Sequence, residues 1–138
     1  MAARKGHSTG SSPDFAWDAS QWPTFLHLDI FDDEWADLGL GDGDLQELQS
    51  AILASPQRSP IIRGAEGLRK IRFAPSREAR GKRGAYRVGY VWFREFGFVL
   101  LVTVWGKSDK SDLSARDRSA IAAIVRDIRG RLGARRDR

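Results

Sequence analysis

Residues 85–94 (AYRVGYVWFR) and 98–105 (FVLLVTVW) are two runs rich in β-branched and aromatic side chains, with only Glu95, Phe96 and Gly97 between them. Runs of this kind are strands. A three-residue link ending in glycine joins strands as a hairpin, because glycine supplies the positive φ that such a turn needs. The hairpin fixes the frame into which every other segment must fit.

A shorter strand is predicted over residues 68–73 (LRKIRF), with Ile71 and Phe73 on one face and Lys70 and Arg72 on the other. Residues 24–31 (TFLHLDIF) alternate and predict an N-terminal strand. Asp32 or Asp33 then caps a short helix through Trp35 and Leu38. Leu45, Leu48, Ile52 and Leu53 repeat at helical spacing over residues 44–54, and Pro56 ends that helix. Residues 55–67 read as a loop. Ser114 with Asp117 resembles a capping box, and Ile121, Ile124, Val125, Ile128 and Leu132 form the apolar stripe of a last helix.

The expected fold is α+β: a small antiparallel sheet, made of a three-strand meander plus the N-terminal strand, with two to three helices on one side. Residues 1–20 are polar and aperiodic and are expected to be a flexible arm. Residues 21–133 form the expected domain, and 134–138 a basic tail.

The charge pattern points to a polyanionic partner. The formal charge is +5 and the isoelectric point about 10.1. Ten carboxylates and no lysine or arginine lie between Asp14 and Glu47, whereas ten lysines and arginines and two carboxylates lie between Arg58 and Arg87. The two blocks either neutralise each other across one surface or leave the second as a nucleic-acid face.

Most chemistries lack their residues. With no cysteine there is no thiolate, disulfide or cysteine zinc site. Of the two histidines, His27 sits among apolar strand neighbours and reads as structural. Asp29, Asp32, Asp33 and Glu34 read as a solvated, helix-capping edge rather than a magnesium site. The glycine-rich stretches lack the spacing of a phosphate-binding P-loop. No apolar run is long enough for a membrane span and no secretory signal is evident, so a cytoplasmic protein without membrane partners is expected.

What remains is a set of cations on a sheet: Lys70 and Arg72 on one strand, Arg87 on the next, and Lys107 and Lys110 after the last. Arginine offers a planar fork to phosphate oxygens and lysine a point charge. Such a site cleaves RNA by holding the RNA's own 2′-OH in line with the phosphorus and stabilising the added negative charge.

The stretch GLRKIRFAPSREARGKRGAYRVGYVWF, followed by LLVTVWGKSDKSDLS, resembles the HigB-like branch of the RelE/ParE toxin superfamily. The carriers are G-L-R-K, a basic loop, an R-V strand and a K-x-x-K-x-D-L-S loop, in that order. The likeness runs over residues 25–132 and includes the LQELQSAILASP helix. It implies a compact microbial-ribonuclease-like fold and ribosome-dependent endoribonuclease activity on messenger RNA, as the toxin of a type II toxin–antitoxin pair. By this resemblance the family's strand lysine or arginine pair falls on Lys70 and Arg72, its phosphate-binding arginine on Arg87, and its basic post-strand loop on Lys107 and Lys110. Lys70, Arg72, Arg87 and Lys107 are thus the expected catalytic residues, and Arg69, Lys82, Arg83 and Lys110 the expected RNA contacts.

Ser114 stands where many relatives carry a tyrosine, so Lys70, then Lys107, is the candidate base. The implied partners are messenger RNA on the ribosome and a helix-turn-helix, HigA-like antitoxin, with no cofactor. A ParE-like gyrase inhibitor and a non-catalytic RNA- or ribosome-binding module are the alternatives.

Overall fold

The computed structural model describes residues 3–6, 24–78, 85–106 and 112–136. The chain runs β1 (Ala3–Gly6), β2 (Thr24–Leu28), α1 (Asp29–Asp37), α2 (Asp42–Ala54), β3 (Leu68–Phe73), β4 (Tyr86–Phe93), β5 (Phe98–Gly106) and α3 (Ala115–Arg136). The strands form one sheet in the order β1-β2-β5-β4-β3. The architecture is α+β and agrees with the small fold that the resemblance implies.

The meander is present: β3, β4 and β5 pair antiparallel. A 3-10 turn over Arg94–Phe96 and Gly97 in the left-handed region, φ 71°, join β4 to β5. Two expectations are corrected. The sheet is mixed rather than antiparallel, because β2 lies parallel to β5, with Thr24 opposite Phe98 and His27 opposite Leu101. The helices cover both faces rather than one. Phe31 and Trp35 of α1 and Leu48, Ile52 and Leu53 of α2 join Phe25, Val88, Tyr90, Val99 and Leu101 in one core. Ile121 and Val125 of α3 join Leu28, Leu68, Val91, Phe93, Phe98 and Leu100 in the other. All nine residues of β5 are buried, which is the burial expected of a central strand covered on both faces.

Three boundaries differ from expectation. The strand over residues 24–31 ends at Leu28, and α1 begins at Asp29. Period-two and helical spacing both fit the short string LDIF, and the helix wins because it sets Phe31 beside Trp35, with ring centroids 5.4 Å apart. The last helix continues through Arg136 instead of giving way to a tail at 134. Residues 3–6, within the expected arm, pair antiparallel with β2.

A bulge between Gly89 and Tyr90 shifts the β4–β5 register. At Gly89 a Cβ would come within 3.1 Å of Thr103 Cγ2 and 3.3 Å of Leu68 Cδ1, so only glycine fits without displacing its neighbours. Beside the bulge the Glu34 carboxylate accepts the Thr103 hydroxyl at 2.7 Å and the Val104 N–H at 3.2 Å, which fixes α1 to the central strand. The buried Tyr90 hydroxyl donates to Pro56 O at 2.7 Å. His27 is structural in its surroundings: Nδ1 lies 2.9 Å from Asp32 Oδ1, and its ring meets Phe31 edge-on. Among the described residues no helix is long and apolar enough to cross a membrane.

Candidate nucleic-acid interface

Strand alternation places the expected cations. Ile71 and Phe73 pack toward α1 and α2, while Leu68 belongs to the core under α3. Lys70 and Arg72 therefore share the α3 face. Val88 packs toward α1 and α2, which puts Arg87 on the α3 face as well. In the β3–β4 ladder Lys70 stands opposite Gly89, and Arg72 stands directly opposite Arg87.

The kind of pair matters. The Lys70 N–H donates away from β4, to Pro60 O at 3.0 Å. By alternation Arg72 also turns its N–H outward, so Arg72 and Arg87 form a non-hydrogen-bonded pair, the closer kind, with Cα atoms about 4.5 Å apart. Like charges directly opposite each other oppose folding. Arg87 Nη1 donates to Ala85 O at 3.0 Å, and among the described residues neither Arg72 nor Arg87 has a carboxylate partner. Arg77, Arg126, Arg129 and Arg131 all have one. The register thus sets Arg72 and Arg87 side by side on the sheet, neither with a carboxylate partner among the described residues.

Lys70 is set differently. Its Nζ lies 3.6 Å from Asp112 Oδ2, and both side chains are partly exposed. Asp112 is steadied in turn by the Leu113 N–H at 2.8 Å. Asp112 is part of the D-L-S string, and sequence reasoning gave it no role. Ser114 caps α3, accepting the Asp117 N–H at 3.0 Å.

Arg69 does not join the group. It lies on the opposite face from Lys70, and its Nη1 donates to Gln57 O at 2.8 Å and Ser59 O at 2.7 Å, so it organises the loop before β3. Lys82, Arg83, Lys107 and Lys110 lie outside the described residues. Tyr86 and Tyr90 point away from Arg87 as packing residues. Burial, with the hydrogen bond to Glu78, holds the Tyr86 hydroxyl above the usual tyrosine range, which leaves it a neutral donor.

The acidic and basic blocks meet at one place among the described residues. Arg77 Nε reaches both Asp44 oxygens, at 3.0 and 3.1 Å, and Nη2 reaches Oδ2 at 2.8 Å. Beside it Glu47 accepts the N–H and hydroxyl of Ser76, each at 2.9 Å. This contact fastens the start of the basic loop to α2. The hydrogen bond from Arg77, reinforced by the Gly41 N–H, holds the Asp44 carboxyl below its ordinary range against the opposing effect of burial. A depressed carboxyl pKa stabilises the fold fully above the unfolded value, near 3.9 for aspartate, and that stability is lost as pH falls through the folded value. Asp44→Asn is therefore expected to lower the urea midpoint at pH 7 and to flatten its decline below about pH 4. Urea titrations across that range check this; an unchanged acid limb would remove Asp44 from the acid response.

No family model matches the chain.

Proposed function

We propose that the protein is a RelE-like endoribonuclease, the toxin of a type II toxin–antitoxin pair, acting on messenger RNA in the ribosome. One observation carries the reading: Arg72 and Arg87 face each other on the sheet without a carboxylate partner among the described residues, and Lys70 shares their face. Two arginines at directly opposed register positions suit the oxygens of one phosphodiester.

In this reading the two arginines hold the scissile phosphate. The 2′-OH of the preceding ribose gives its proton to water and attacks phosphorus, forming the 2′-O–P bond as the P–O5′ bond breaks, and the departing 5′-oxygen takes up a proton from water. Negative charge grows on the non-bridging oxygens as this happens, and fixed cations stabilise that charge more than they stabilise the ground state. Lys70 adds a third charge, steered by Asp112. DNA lacks the nucleophile and is not cut. A helix-turn-helix antitoxin is the proposed inhibitor.

The test is brief expression from a tight promoter with mapping of new messenger 5′ ends, beside an Arg87→Ala control. Cuts within translated codons, absent from the control, are expected. Growth arrest with intact messengers would sink the reading.

A further inference from the structure

We propose that the cavity between residues 60–64 and the start of α3 is a second phosphate subsite for a single RNA strand, adjoining Lys70 on the sheet face that carries the Arg72–Arg87 pair. The inference rests on the RNA reading of the sheet face and extends it to Arg63 and Arg118, which that reading does not use.

The loop before β3 is not a passive connector. The Arg69 guanidinium grips Gln57 O and Ser59 O. Pro60 O accepts the Lys70 N–H, and the Ile62 N–H donates to Leu68 O at 2.7 Å. Residues 60–62 thus lie along the outer edge of β3, joined to it by an isolated antiparallel bridge between Ile61 and Arg69. This pairing holds Arg63 beside α3 and builds a cavity of about 540 Å³ whose walls include Arg63, Lys70, Asp112, Arg118 and Ser119. A second cavity, about 730 Å³, lies at the edge of β3 against the end of α2, with Ala51, Ala54, Arg58 and Arg72 among its walls. Lys70 and Pro60 belong to both.

Charge and shape identify the ligand. The first cavity sets three cations against one carboxylate, Asp112, which already faces Lys70. Arg118 spends one donor on Leu113 O at 2.8 Å, and a guanidinium has five. Among the described residues neither Arg63 nor Arg118 has a carboxylate partner. Converging cations on concave walls focus positive potential, and arginine forks match phosphate. Two cavities that share Lys70 and Pro60 where the chain passes the edge of β3 suit consecutive nucleotides of a strand better than a single small anion.

The experiment measures binding of a labelled, non-cleavable 2′-O-methyl RNA strand to the purified full chain, by anisotropy across a salt series. Each phosphate contact contributes about 0.7 to the slope of log K against log salt for a single strand, which is about fivefold in affinity at 0.1 M salt. Arg63→Ala is expected to remove one such increment. Arg118→Lys, which keeps the charge but not the fork, is expected to weaken affinity with little change of slope. Arg126→Ala, which removes an arginine paired with Glu66, is expected to change neither.

If Arg63→Ala binds as wild type does while Arg72→Ala and Arg87→Ala each lose an increment, the subsite is overturned and the sheet site stands. If Arg63→Ala alone loses one, the subsite stands and the sheet reading fails. Equal losses in Arg63→Ala and Arg126→Ala would reduce the effect to net charge and overturn the subsite. A wild-type chain that binds no strand overturns both.

Discussion

Arg87→Ala is expected to lower the rate of messenger cleavage on programmed ribosomes by at least about a hundredfold, the usual cost of removing one donor aimed at developing charge. The fold should survive. Among the described residues the Arg87 side chain makes one hydrogen bond, to a neighbouring carbonyl, and its removal relieves the like-charge pairing opposite Arg72. Arg87→Lys keeps a charge but loses the fork, and an intermediate rate is expected. On the proposal that both arginines address one phosphate, Arg72→Ala combined with Arg87→Ala should cost less than the sum of the two in free energy. Single-turnover cleavage with circular dichroism as the fold control checks each point. A rate within about threefold of wild type for Arg87→Ala would remove Arg87 from the site, since one lost transition-state contact costs far more.

Phe93→Ala is expected to cost about 3–5 kcal/mol, the range for emptying a buried phenylalanine site. Phe93 is fully buried at the end of β4, its ring stacks on Phe98 at 4.6 Å between centroids, and the Arg129 guanidinium of α3 lies 4.8 Å from its centre. One ring thus joins the hairpin end to the last helix. In a domain of this size the loss lowers the melting temperature by about 10–20 °C. Arg129→Ala removes only the partly exposed cation and should cost about 0.5–1 kcal/mol. Calorimetry separates the two; similar shifts for both variants would mean that the ring carries little of the packing.

The hairpin, the third strand and the cation face were legible because each depends on local spacing. Residues 85–105 spell two strands and their turn, and LRKIRF assigns its own faces through Ile71 and Phe73. The parallel partnership of β2 with β5 was not legible, since pairing over some seventy residues leaves no local trace. Neither was α3 on the opposite face, although the near-continuous apolar run of FVLLVTVW, interrupted only by Thr103, is the signal that could have shown it. At the site, Arg69 sits between two cations and looks equivalent to them, yet alternation turns it to the other face, where loop carbonyls take it up. Asp112 was missed because its contact with Lys70 joins segments far apart in sequence.

The place of β5 in the chain has a consequence for synthesis. The strand at the middle of the sheet is the last of the five to leave the ribosome, after both of its neighbours. Until residues 98–106 emerge, β2 lacks its parallel partner, β4 lacks one side, and the apolar faces of α1 and α2 have no complete sheet to rest on. Contacts of such long sequence separation form slowly, and the loop-closure entropy comes before the contacts that offset it. Completion of the sheet therefore waits for residues 98–106. A chain that stops before Phe98 has lost the strand that unites the two halves of the sheet, so an incomplete product does not display the cation face in working order.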